Sequence, residues 1–362
     1  MAGRILLFVA GLLIAACFAC TPAMGPAPPG THVAVCAYDR IEKLRVQGYT
    51  QPNGPSYKPD RDGPASAAMV ADVQAAVALA PQFFRDRLCQ LDAIFIAPSG
   101  ESWGMRAWDA GNPTIKRYIA LSADLWTPGG PPLRLSEYKD KVLHTLFAGW
   151  SGPNAPKYKM MLGDPSHDPA MTLLAVMAHE YGHVLFYDTF VSSPGSPPDF
   201  HTPAFCGGNF YKDSWEDASL PRTTIWWRKF TEIDGSHPPG DVQMGQIRHA
   251  LSHPAIARGL LSRFFSGKLP LHAGRPRGRW ASLLAAFTPD HDFVESFALF
   301  VLLNNTNSRA PLKSVAISIP GHPNEDIVAT CDERPVLMSK LGCFQRAFCA
   351  TGSGSVCGRV CP

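Results

Sequence analysis

One helical segment constrains this chain more than any other feature: it runs from Pro169 to about Tyr187, with His179-Glu180-Tyr181-Gly182-His183 in its middle. Asp168 supplies an N-cap and Pro169 a first helical residue. Leu173, Leu174, Val176, Met177, Val184, Leu185 and Phe186 make the segment apolar on nearly every side, and such a helix belongs in a core. Three ionisable side chains inside a buried helix are costly unless they are paired or bind a metal. At about 100° per residue, His179 and His183 share one face and can reach a single ion. Glu180 is turned aside, near enough to take a proton from water at the ion's open position. The HExxH spacing implies zinc, with His179 and His183 as ligands and Glu180 as general base.

A catalytic zinc site usually has three protein ligands and one water, so the downstream chain must supply one more. An extended metzincin motif is excluded, because Phe186 and Thr189 stand where it needs glycine and histidine. Glu295 is the expected third ligand. It lies in a second capped helix, opened by Thr288 and Pro289 and continuing through Asp290-His291-Asp292-Phe293-Val294-Glu295-Ser296-Phe297-Ala298 into an apolar stretch that ends near Leu303. Glu216 is a second choice in more polar surroundings. His291, four residues before Glu295, could support the site from the same helix face. His201, His249, Tyr187 and Tyr211 are conceivable oxyanion partners that spacing does not rank.

Across these two helices the chain resembles the gluzincin class of zinc metallopeptidases, in which an HExxH helix packs against a later helix bearing a glutamate ligand. The resemblance implies His179, His183 and Glu295 as ligands and Glu180 as base. It departs at Leu299, where the thermolysin-like subgroup has an aspartate, and Asp292 is the nearby carboxylate that could orient a ligand instead.

The rest of the sequence bounds the setting. A net charge of +3 with 17% charged residues offers no polybasic surface, so nucleic acid is not an expected partner. Arg4 followed by the apolar run Ile5 to Ala16 reads as a signal peptide over residues 1–16. Ile14-Ala15-Ala16-Cys17 resembles a bacterial lipobox, so the mature chain is expected to begin at Cys17, held to the membrane by lipid, with simple secretion as the alternative. Residues 17–35 form a flexible tether rich in proline and glycine. Export makes disulfides the default for the even set Cys36, Cys89, Cys206, Cys331, Cys343, Cys349, Cys357 and Cys361.

These readings give a metallopeptidase domain over residues 36–330 and a Cys-rich tail over 331–362, stapled by disulfides rather than packed. The expected fold is α+β with a zincin-like core, mostly helical with a small mixed sheet. Helices are expected over 64–79, 81–88, 136–147, 241–251, 254–265 and 281–287, and strands over 93–97 and 115–122. The 115–122 strand mixes charged and apolar residues in the manner of a sheet edge, where an extended peptide could add itself. Residues 191–209 form a long loop, a candidate rim or lid. The function implied is zinc-dependent hydrolysis of peptide bonds in the cell envelope. The alternatives are a non-catalytic zinc-binding lipoprotein and a zinc amidase acting on cell-wall peptides.

Overall fold

The computed structural model describes residues 41–45, 60–97, 102–109, 112–138, 141, 159–162, 168–193, 196–212, 214–217, 225–227, 280–282, 284–286, 288–306, 315–318, 325–326 and 334–349. The expected signal peptide, Cys17, the tether, the helices over 241–251 and 254–265, His249, and Cys36, Cys331, Cys357 and Cys361 lie outside them. The elements run β1 (Glu42–Arg45), β2 (Asp60–Pro64), α1 (Ala67–Leu79), α2 (Gln82–Leu88), β3 (Ala93–Ala97), β4 (Trp103–Asp109), β5 (Asn112–Ser122), β6 (Lys159–Leu162) and α3 (Pro169–Phe190). They continue through β7 (Trp215–Asp217), β8 (Ile225–Trp227), α4 (Pro289–Leu303), β9 (Val315–Ser318), β10 (Glu325–Asp326) and α5 (Pro335–Phe348). The fold is mixed α+β. Among the described residues no helix is long and apolar enough to cross a membrane.

Helix α3 is the axis of the structure. Asp168 caps it, its side chain accepting from the Ala170 amide at 2.9 Å. From Met171 to Phe186 the accessible positions are His179 and His183 alone, and Tyr187 follows as an exposed residue. These three are spaced by four residues, so the one open stripe of an otherwise buried helix carries both motif histidines.

The main sheet has the order β2-β1-β3-β5-β4. Strands β1, β3 and β5 are parallel, with β2 antiparallel on one flank and β4 antiparallel on the other. The two small helices α1 and α2 make the crossover from the first pair to β3, whose five residues are all buried. Strand β5 starts at Asn112 and lies inside the sheet, between β3 and β4, so among the described residues the edge on that side is β4 and not the 115–122 strand. One of the charged residues that suggest an edge has a specific partner: Arg117 reaches out of β5 to Asp188 at the end of α3, at 2.8 Å.

Strand β4 has little strand signature because it contains Gly104, and the structure shows why glycine stands there. A Cβ at Gly104 would lie 1.6 Å from the backbone carbonyl oxygen of Glu180. The strand rests directly on the helix backbone, and only glycine permits that approach.

On its other side α3 packs against α4, and α4 against α5. Phe293 of α4 is the hub of an aromatic core, in ring contact with Phe186, Phe190, Phe205, Phe210 and Phe344. The loop after α3 contributes to this core, since Phe200 and Phe205 are buried and Cys206 is disulfide-bonded to Cys343 of α5. That stretch is therefore anchored, which does not suit a lid.

Helix α5 lies within the segment expected to be a stapled tail. Its Val336, Leu337, Leu341, Cys343 and Phe344 recur at helical spacing and are buried, so residues 335–348 are packed as well as cross-linked. Cys89 and Cys349 are also disulfide-bonded.

Gly104→Ala is expected to destabilise the fold by about 1–3 kcal/mol, as overpacked sites do, because the obstruction is backbone and cannot swing aside. The measurement is the shift in denaturant midpoint; an unchanged midpoint would mean that β4 does not lean on α3.

Candidate metal centre

The ligand atoms of His179, His183 and His291 lie within 4.8 Å of one another. Four nitrogens placed tetrahedrally around zinc at about 2.1 Å are some 3.4 Å apart, so this cluster has the scale of a three-imidazole metal site. The ring centroids of His179 and His183 are 5.1 Å apart, and His291 stands 5.5 Å from His183 and 6.0 Å from His179. His179 and His183 come from the open stripe of α3, and His291 from the first turn of α4.

Two of the rings have a partner behind them. His179 Nδ1 is 2.6 Å from Glu295 Oε1, the geometry of an N–H donating to a carboxylate. His291 Nδ1 is 2.7 Å from Oγ1 of Thr288, the residue that caps α4 and also accepts from the His291 amide at 3.3 Å. With Nδ1 engaged in each case, Nε2 is the nitrogen left to face an ion, and such backing partners fix the tautomer and orientation of metal-bound histidines. Asp290 Oδ2 lies 3.7 Å from His291 Nδ1 and adds negative charge at the rim.

Burial lowers the pKa of His183, and the neighbouring His179 and His291 lower it further, to about 3. Its imidazole is neutral at ordinary pH, as a ligand must be.

The approach of the two helices depends on Gly182, inside the HExxH motif. A Cβ there would lie 3.1 Å from both Cα and Cγ1 of Val294. Glycine lets α4 close on α3, which brings His291 and Glu295, on either side of Val294 in sequence, up to the motif histidines.

The expected site residues thus occupy distinct places. His179 and His183 converge. Glu295 is 4% exposed and meets the ring of His179, while the third corner of the imidazole cluster is His291. Glu180 is buried on α3 beneath Gly104. Glu216 lies on β7, in a two-stranded sheet with β8. Asp292 turns to α5, where both its oxygens accept from Lys340 Nζ, at 2.8 and 2.7 Å. Tyr211 is 1% exposed among aromatic rings, and burial, reinforced by Asp292 and Asp290, raises its phenol well above the usual value. Its burial does not suit an oxyanion donor, which has to reach the substrate. Tyr187 is 43% exposed, one turn beyond His183. The sequence marks Thr288 as a helix cap; its second role follows from the three-residue spacing to His291, which places a cap hydroxyl beside the ring.

Comparison with protein-family models, with curated proteins and with solved structures finds no match to this chain.

Two substitutions separate a ligand from its support. His291→Ala is expected to abolish stoichiometric zinc binding, whereas Glu295→Gln should retain zinc with about 10- to 100-fold weaker affinity. Competition titration against a chromogenic chelator measures both, and the opposite order would make Glu295 the ligand and His291 the support.

Proposed function

We propose that this chain is an exported zinc-dependent peptidase whose metal is held by His179, His183 and His291. The observation that carries the proposal is the meeting of both HExxH histidines with a third imidazole from a separate helix, with orienting partners behind two of the three rings. In this reading Glu295 orients His179 in place of the ligand role that the gluzincin resemblance implies. The fold reads as zincin-like in having an antiparallel edge strand laid over the HExxH helix.

Bound zinc supplies an acidified water and a Lewis acid for a scissile carbonyl. The chain's own residues do the rest. Glu180 accepts the proton that the water gives up and returns it to the leaving amine. Glu295 and Thr288 keep their rings in the tautomer that directs Nε2 inward. Among the described residues strand β4 is an edge of the main sheet, and an extended peptide adding to it would run alongside α3 close to the histidines. Tyr187 stands exposed on the same stripe, where it can meet the substrate. Localisation to the cell envelope through lipid on Cys17 belongs to the same proposal and rests on the sequence of residues 1–17.

Glu180→Gln is expected to keep stoichiometric zinc and lose about 10²- to 10⁴-fold in peptide hydrolysis, the usual worth of a positioned general base. The experiment is elemental analysis of the purified protein followed by digestion of a peptide library with and without chelator. Metal lost along with Glu180, or hydrolysis that persists after chelation, would overturn the assignment.

A further inference from the structure

Helix α5 carries none of the residues assigned above, yet it holds one of the most deeply buried charges in the described structure. Lys340 is 1% exposed, and its ammonium donates to both oxygens of Asp292, which is 0% exposed. The ammonium also lies 4.7 Å from the Trp280 ring centroid and 5.7 Å from that of Phe210. A fully buried ion pair is a weak source of net stability, because desolvation cancels most of the Coulombic gain and an apolar pair of the same volume serves as well. What such a pair supplies is a demand for one geometry, since any misalignment leaves a charge buried and unpaired.

The place where that demand acts is informative. Asp292 directly follows His291 and precedes Glu295 by three residues. At about 100° per residue, His291 lies about 100° round the helix from Asp292 and Glu295 about 60° round in the same sense. Fixing Asp292 against α5 therefore sets the rotation of α4 at which both His291 and Glu295 face α3. With side-chain atoms about 6 Å from the helix axis, a rotation of about 20° displaces them by some 2 Å, as much as a whole zinc–nitrogen bond. The disulfide Cys206–Cys343 lies on α5 one turn beyond Lys340 and ties that helix to the loop leaving α3. Helix α5 thus holds α4 by an ion pair and the loop that follows α3 by a disulfide.

We infer that Lys340 is a positioning residue for the metal centre and that α5 is the brace that holds α4 at the rotation needed for His291 and Glu295 to meet the HExxH helix. This rests on the metal-centre reading above. In this role Lys340 is not a ligand and acts on the centre through Asp292.

The test is zinc affinity by chelator competition, together with the visible spectrum of the Co²⁺-loaded protein, for wild type, Lys340→Met and the apolar double variant D292L/K340M. The single variant strands a buried carboxylate and can fail to fold. The double variant removes both charges and is expected to fold with nearly wild-type thermal stability. The expected result is 10- to 100-fold weaker zinc binding by the folded double variant, with an altered Co²⁺ spectrum, since removing a purely structural pair would change neither. Coupling is reciprocal, so zinc added to the wild type should also slow amide hydrogen exchange across residues 335–348. Zinc affinity and Co²⁺ spectrum unchanged in the double variant, or exchange in α5 indifferent to zinc, would overturn the brace alone. A wild-type chain that takes up no zinc would sink the metal-centre reading and the brace with it.

Discussion

The contact between α3 and α4 at Gly182 and Val294 is the constraint on which the rest of the structure depends. Each helix is apolar around most of its surface, and each has a reason to be buried that has nothing to do with chemistry. Bringing them to glycine-limited distance turns two ordinary core helices into opposite walls of one site. The imidazoles of α3 then need a backing partner and a third corner, and the first turns of α4 supply both within five residues. Everything beyond this pair serves to hold it. The sheet covers one side of α3 through β4 and the Arg117–Asp188 ion pair. The aromatic cluster around Phe293 fills the space on the other.

Polar groups at this depth are arranged in relay. Glu295 serves His179, Thr288 serves His291, and Lys340 serves Asp292. Each is a charged or hydrogen-bonding group that would be costly in isolation and is tolerated because its neighbour needs it. The cost of burying polar groups in these hydrophobic helices is thus met in part by partners from α4 and α5.

Local signals in the sequence were strong where a helix has caps and a uniform apolar body. Asp168-Pro169 and Thr288-Pro289 mark the starts of α3 and α4, and the run Ala93–Ala97 marks a buried strand with its observed bounds. Legibility ended where long-range contacts decide. Strand β4 escapes a reading by propensity because Gly104 answers to the Glu180 backbone across the fold. The interior place of β5 depends on β4 and was hidden with it. Helix α5 was obscured by its cysteines, which invite a reading as a cross-linked tail, and by Arg334 at its start, which caps nothing with its side chain. In the site, the i, i+4 pair His291 and Glu295 was visible as a pair. Which of the two turns toward the imidazole cluster and which toward the ring of His179 depends on the rotation of α4, and one sequence does not encode that locally.

The residues that converge here are far apart along the chain: His179 and Glu295 are 116 positions apart, and the disulfide that ties α5 to the loop after α3 closes a separation of 137. Contacts of such long range form late, because their loop entropy must be met before they repay it. A nascent chain that has produced the HExxH helix therefore holds only half a centre. Its third corner follows more than a hundred residues later, and the helix that steadies that corner later still. The three imidazoles can meet only when the chain has closed upon itself.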